Sequence, residues 1–250
     1  MRFYVVDAFT DQAFAGNAAG VVVLERAVED GWMQQVAAEM KHSETAFVRP
    51  GGETTELRWF TPTTEVDLCG HATIAATQVL GGTQTYDTRS GILTCAKQGD
   101  GWIRMDFPAD EPRETGEDVG HILAGDTTYV GRAKENLFVE LPDEESVRKA
   151  EPDLAQLKNT WTGRLIITAR GTEYDFVSRF FGPGVGVDED PVTGSAHCAL
   201  APYWGRKLGK TNLTAAQVSQ RGGVVGTELD NDRVHLSGRA VTVVSGELHV

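Results

Sequence analysis

The chain has 250 residues, 40% of them hydrophobic, with 36 Asp and Glu against 23 Lys and Arg for a formal net charge of −13. At about 150 residues per domain this makes one or two domains with ample core, and a field of that sign disfavours nucleic acid and anionic lipid as partners. Cys69, Cys95 and Cys198 form no CxxC pair, which argues against a disulfide framework or a zinc ribbon.

Read in chain order, Arg2–Phe9 is aromatic and β-branched, as a strand requires, and it meets Asp7 before any secretory apolar core could form. No stretch approaches the roughly 20 apolar residues of a membrane span. A cytoplasmic globular protein is therefore expected. Phe14–Gly20 breaks the first strand with two glycines and Asn17, and an apolar strand runs from Gly20 to Leu24. A helix follows from about Asp30, read as its N-cap, with Met33, Val36, Ala37 and Met40 on one face. Thr45–Val48 and Leu57–Phe60 are strands, and Leu68–Thr77 turns at Gly70 into a helix of small residues. Gly91–Ala96 and Trp102–Phe107 read as a hairpin. Pro108–Gly120, rich in Pro, Gly and acids, is the candidate domain boundary.

The second half repeats the plan. Leu137–Leu141, Arg164–Thr168 and Tyr174–Phe181 are strands, and Asp143–Lys149 is a helix. A loop after Gly182-Pro183 leads to a second small-residue helix at Thr193–Ala201. A hairpin spans Val224–Leu229 and Arg233–Leu236, and Ala240–Val244 is a late strand. Arg58-Trp59-Phe60-Thr61-Pro62 before Gly70-His71-Ala72 matches Arg179-Phe180-Phe181-Gly182-Pro183 before Gly194-Ser195-Ala196, so an internal duplication into two like lobes is expected.

Gly70 and Gly194 each precede a helix, whose unpaired N–H groups favour a carboxylate or phosphate. Glu44 follows the first helix; on the surface it would be a solvated acid, and in a cleft a general acid or base. His71 is either a polar helix-start residue or a titrating group, and Asp188-Glu189-Asp190 reads mostly as a solvated acidic run. A zinc site on Cys69, His71, His197 and Cys198 is disfavoured, because C-x-H and H-C spacings point their side chains in divergent directions. Ser195 lacks the Gly-x-Ser-x-Gly elbow, and no glycine-rich nucleotide loop follows any strand, so neither cofactor nor metal is expected.

Five motifs in order carry a family resemblance: Asp7-Ala8-Phe9-Thr10 with Phe14-Ala15-Gly16-Asn17; Ser43-Glu44-Thr45; Phe60-Thr61-Pro62 with Cys69-Gly70-His71-Ala72-Thr73; Glu189-Asp190-Pro191-Val192-Thr193-Gly194-Ser195; and Gln217–Gly223. Together they resemble the PhzF family of phenazine-biosynthesis-like isomerases. The resemblance implies an α+β, diaminopimelate-epimerase-like fold: two pseudo-symmetric lobes, each a β-barrel-like sheet around a central helix. The lobes would be residues 1–113, with the strand at about 242–250 free to join them, and 114–241.

The resemblance further implies a cofactor-independent isomerase acting on a small carboxylate, and a homodimer. Glu44 would shuttle the proton, with His71, Asp190 and Ser195 as its catalytic partners and Asn17, Gly70 and Gly194 binding substrate. Epimerase and racemase relatives of this fold use two opposed cysteines; Cys69 stands at the first position, and Pro191 is read at the second. The alternatives are an epimerase or racemase using Cys69 with a non-thiol partner, and a binding protein that keeps the fold without the reaction.

Overall fold

The computed structural model describes residues 1–249, in two compact units: Met1–Asp106 with the segment from Ser237 onward, and Phe107–Leu236. In the first unit the order is β1 (Arg2–Ala8), β2 (Asn17–Val23), α1 (Asp30–Met40), β3 (Thr45–Gly51), β4 (Thr54–Phe60), β5 (Glu65–Val66), α2 (Gly70–Leu80), β6 (Thr83–Thr88), β7 (Gly91–Lys97) and β8 (Ile103–Pro108). β1 runs antiparallel to β2, β2 parallel to β3, and β3 antiparallel to β4. β4 is antiparallel to β5 and parallel to β6, and β6, β7 and β8 continue as antiparallel neighbours.

This sheet curls around α2, which packs on β1, β2, β3, β6 and β7. Every residue from His71 to Thr77 is buried. A helix enclosed on all sides has no polar face, and only short side chains let strands approach it from several directions, hence Ala72, Ala75 and Ala76. Its two buried threonines are satisfied locally: Thr73 Oγ1 donates to the Cys69 carbonyl at 2.6 Å, and Thr77 Oγ1 to that of Thr73 at 2.9 Å. α1 covers the outer face of the sheet, packing Met33, Val36 and Ala37 on Val22, Phe47 and Phe60.

The second unit contains β9 (Arg113–Glu114), β10 (Tyr129–Ala133), β11 (Asn136–Glu140), α3 (Glu144–Lys149), α4 (Leu154–Lys158), β12 (Leu165–Arg170) and β13 (Phe176–Gly182). It continues with β14 (Val187–Asp190), α5 (Gly194–Leu208), β15 (Asn212–Gln217), β16 (Gly223–Asp230) and β17 (Arg233–Gly238). The last strand, β18 (Ala240–Glu247), returns to the first unit and pairs antiparallel with β1. β11 is parallel to β12, β12 antiparallel to β13, β13 antiparallel to β14 and parallel to β15, and β15 antiparallel to β16. That is the pairing of β2 through β7 over again, so the topology occurs twice. Here α5 is the enclosed helix: Ala196, Ala199, Leu200, Tyr203 and Trp204 pack on Phe138, Ile166, Phe176 and Leu213. Among the described residues no helix is long and apolar enough to cross a membrane.

The repeated Arg-aromatic-Phe segments have one structural job in both units. Arg58 of β4 grips Glu65 with two bonds of 2.7 Å while its guanidinium lies 5.2 Å from the Phe60 ring centroid. Arg179 of β13 grips Glu189 at 2.7 and 3.0 Å and lies 4.8 Å from that of Phe181. Each fork ties a strand to the short strand that leads towards the central helix.

Several boundaries differ from the sequence reading. Asp30 is the first helical residue and Glu29 the N-cap; the Asp30 carboxylate accepts from Arg58 at 2.6 Å instead of capping α1. β3 continues through Pro50 to Gly51, because its last residues are exposed and a missing ladder N–H is tolerated there. The stretch between Gly182 and Thr193 is not all loop, since it holds a 3₁₀ turn at Pro183–Val185 and β14.

Candidate active site

In the first unit, three chain segments deliver polar side chains to one place. The β1–β2 turn brings Asn17. Its Gly16 has φ +64°, and a Cβ there would fall 2.2 Å from the Ala8 carbonyl oxygen, so only glycine fits. Gly16→Ala is expected to cost about 1–3 kcal/mol through this strain and to displace Asn17, read by urea denaturation alongside turnover. The link from α1 to β3 brings Ser43 and Glu44, anchored where the Gly20 N–H donates to the Glu44 carbonyl at 3.2 Å. The start of α2 brings Cys69, the N-cap residue, followed by Gly70 and His71; the Cys69 side chain makes no cap bond to the helix amides.

His71 is the hub. Its Nδ1 lies 3.4 Å from Asn17 Nδ2 and 3.4 Å from Cys69 Sγ, and its Nε2 lies 3.2 Å from Ser43 Oγ and 3.3 Å from Glu44 Oε2. Asn17, Cys69 and His71 are buried, whereas the Glu44 side chain keeps 20% of its surface exposed. Burial pushes the Glu44 carboxyl above its ordinary range, against the opposing pull of hydrogen bonds from the Ser43 and Cys69 side chains. The result is a carboxyl group with a raised proton affinity, next to an imidazole and still open to solvent on one side. Glu44, Cys69 and His71 also offer one metal-ligating atom each, all within 4.8 Å of one another.

The second unit gathers Asp190, Thr193, Gly194 and Gln217. Thr193 Oγ1 donates to Asp190 Oδ2 at 2.5 Å, Gln217 Nε2 donates to the Asp190 carbonyl at 2.8 Å, and the Thr193 N–H donates to Gln217 Oε1 at 2.9 Å. Ser195, in the first turn of α5, is exposed. Thr193 is the N-cap residue of α5 as Cys69 is of α2, and Gly194 follows it as Gly70 follows Cys69. Thr193, not Pro191, is therefore the counterpart of Cys69, and the second thiol of a two-cysteine site is absent on either reading.

Glu44, His71, Asn17 and Gly70 are thus brought together in the first unit, and Asp190, Gly194 and Ser195 lie close in the second. The sequence reading gave no role to Ser43, Thr193 or Gln217. The first two were findable as the residues preceding Glu44 and Gly194. Gln217 ends β15, whose mixed polar sequence carries no clear alternation. The C-x-H spacing predicts divergent directions for Cys69 and His71, yet their side chains meet at 3.4 Å because the N-cap geometry of Cys69 turns its thiol back over the helix start. His197 is enclosed and points its Nδ1–H at the Thr193 carbonyl, 2.9 Å away.

Burial lowers the His197 pKa from 6.5 to about 4. Between those values the unfolded chain binds a proton that the folded chain refuses, so this residue's contribution to stability is lost as pH falls through the window. His197→Gln is expected to flatten the acid limb of the stability–pH curve, measured by urea unfolding at successive pH values.

A sequence model of the phenazine biosynthesis-like protein family, PhzC-PhzF, matches residues 6–246. The chain belongs to the PhzF family. An uncharacterized isomerase of Halalkalibacterium halodurans is 47% identical over 98% of this chain and 97% of its own. The crystal structure of a PhzF-family protein from Enterococcus faecalis superposes with a TM-score of 0.96 at 40% identity, covering 100% of this chain and 99% of that one. A probable proline racemase from Agrobacterium radiobacter shares the fold, at a TM-score of 0.64 and 10% identity, over 100% of this chain and 93% of its own. The α+β, diaminopimelate-epimerase-like fold expected from the resemblance is the fold of this PhzF-family isomerase.

Proposed function

We propose that this isomerase moves a proton within a small carboxylate substrate by general acid/base catalysis, with Glu44 as the shuttling group. The observation that carries the reading is Glu44 itself: a partly enclosed carboxyl with its proton affinity raised by burial, 3.3 Å from His71 Nε2. A base works best when its pKa approaches the working pH, and burial moves Glu44 in that direction. His71, held on both ring nitrogens, would orient the substrate and exchange hydrogen bonds with its heteroatoms. The N–H groups at the start of α2, which the Cys69 side chain leaves uncapped, would face the carboxylate and developing negative charge. In the second unit Asp190, aligned by Thr193 and Gln217, and the exposed Ser195 would supply hydrogen-bonding groups of their own. The test is solvent-deuterium incorporation into turned-over substrate: Glu44→Gln should retain binding and lose exchange.

A second reading is favoured by one specific contact, the 3.4 Å approach of Cys69 Sγ to His71 Nδ1, which makes a thiol–imidazole pair. Cys69 would then be the proton-transferring group of an epimerase. Cys69→Ala discriminates. Under the Glu44 reading kcat falls by less than about tenfold, whereas an essential thiol would cost about 10²–10⁴.

A further inference from the structure

We infer that Ser43 is a positioning residue: through Asn17 it holds His71 as a neutral imidazole with its proton on Nε2, aimed at the Glu44 carboxylate. What this does for catalysis rests on the role given to Glu44 above; the direction of the bonds stands without it.

Three side chains close a ring of contacts. Ser43 Oγ lies 3.4 Å from Asn17 Oδ1, Asn17 Nδ2 lies 3.4 Å from His71 Nδ1, and His71 Nε2 lies 3.2 Å from Ser43 Oγ. Asn17 and His71 are buried, so the amide and the imidazole find their partners inside the protein. An amide oxygen only accepts and an amide nitrogen only donates. The Ser43 hydroxyl therefore donates to Oδ1, Nδ2 donates to Nδ1, and Nδ1 carries a lone pair. A doubly protonated imidazole would set Nδ1–H against the amide donor. The neutral form has its proton on Nε2, which donates to Ser43 Oγ or to Glu44 Oε2, 3.3 Å away.

Such a ring can run in two directions. In the reverse one the amide is turned over, Nδ1–H donates to Oδ1, and the Ser43 hydroxyl donates to a bare Nε2. Glu44 decides between them. Its ionised carboxylate only accepts, and a bare Nε2 beside it would set lone pair against lone pair. Cys69 does little for the reverse direction, because the thiol sulfur 3.4 Å from Nδ1 is a weak acceptor. The Ser43 hydroxyl also bonds the Glu44 carboxyl. Giving its proton to that group instead of Oδ1 still leaves its lone pair facing Nε2–H. His71 is thus a donor to the shuttling carboxylate and not a second base, and it steadies the charge on Glu44 each time the proton is given up.

The experiment is long-range proton–nitrogen correlation NMR of the isotopically labelled full chain at neutral pH with no ligand added, the His71 signals being assigned by their loss in His71→Gln. Wild type should give one set of signals, with Nε2 protonated and Nδ1 bare. Ser43→Ala leaves Asn17 Oδ1 without its donor and should raise the Nδ1-protonated population about tenfold, the weight of one hydrogen bond. Ser43→Thr keeps the hydroxyl and should match wild type. Asn17→Asp places an acceptor against Nδ1 and should bring a proton onto that nitrogen. Circular dichroism identifies a variant that fails to fold, and Ser43→Cys, a weaker donor of similar size, then replaces Ser43→Ala. Wild-type signals with Nδ1 protonated would overturn the inference, and so would Ser43→Ala spectra identical to those of wild type. Deuterium exchange in Glu44→Gln tests the carboxylate's role separately: exchange at the wild-type rate would remove the catalytic consequence and leave the tautomer standing.

Discussion

Glu44→Gln is expected to lower solvent-deuterium exchange into substrate by about 10²–10⁴-fold, the contribution of one well-placed general base, while making the folded protein more stable at neutral pH. The two effects share a cause. Burial raises the folded-state pKa of Glu44 above 4.5. Between the unfolded value and the raised one, the folded chain holds a proton that the unfolded chain has released. Stability therefore falls as pH climbs through that window, and the deficit persists above it. Glutamine has nearly the same shape, offers hydrogen bonds to His71 and Cys69, and carries no charge to desolvate. Urea midpoints below and above the window measure this: the wild type should lose stability between them, and the variant should lose less. Exchange at the wild-type rate in Glu44→Gln would refute the base assignment, and identical pH slopes would refute the burial argument.

The features that were legible in the amino-acid sequence are those written in local chemistry. Small residues from Ala72 to Ala76 signalled an enclosed helix, and α2 is enclosed. The Arg-aromatic-Phe repeat signalled duplication, and both copies hold a bidentate carboxylate and an aromatic ring. Strands whose order comes from their neighbours were not legible. β6, Thr83-Gln84-Thr85-Tyr86-Asp87-Thr88, buries only Tyr86 fully, and its place between β4 and β7 is set by pairing rather than by apolar alternation. β10, with a central glycine, and β15 escaped for the same reason. Glu44 could be named, but its environment could not, because the Cys69 and His71 contacts join positions distant in sequence.

The duplication also separates scaffold from chemistry. The backbone bond from Gly20 N–H to the Glu44 carbonyl, 3.2 Å, has its counterpart in Leu137 N–H to the Arg164 carbonyl, 3.0 Å. The position that is glutamate in the first unit is thus arginine in the second, bound to Glu135. At the helix starts, Cys69 and His71 answer to Thr193 and Ser195, while Thr73 and His197 both return a side-chain bond to the N-cap carbonyl. Ion pairs and glycines recur; the carboxylate and the thiol do not. A reaction with one base that takes a proton and returns it to the same molecule needs only one copy, whereas inversion by two opposed thiols needs both.

The second large effect belongs to the scaffold. Trp204→Ala is expected to destabilise the second unit by about 3–5 kcal/mol, the usual cost of truncating a fully buried aromatic. Trp204 is 1% exposed, lies parallel to Phe176 at 5.9 Å, meets Tyr203 edge-on at 5.7 Å, and donates from Nε1 to Thr168 Oγ1 at 2.9 Å. Trp204→Phe keeps an aromatic surface and loses the Nε1–H donor. Thr168 still donates to the Val177 carbonyl at 2.7 Å, so this variant should cost only about 1–2 kcal/mol. Urea unfolding followed by circular dichroism gives the totals, and amide exchange along β11 to β13 gives their location. The loss should concentrate there, because those strands pack on α5 while α3 and α4 close the other face of the sheet over Val147 and Leu157. An alanine variant costing under about 1 kcal/mol, well below the range for such a site, would mean that α5 is not the element on which the second sheet is built.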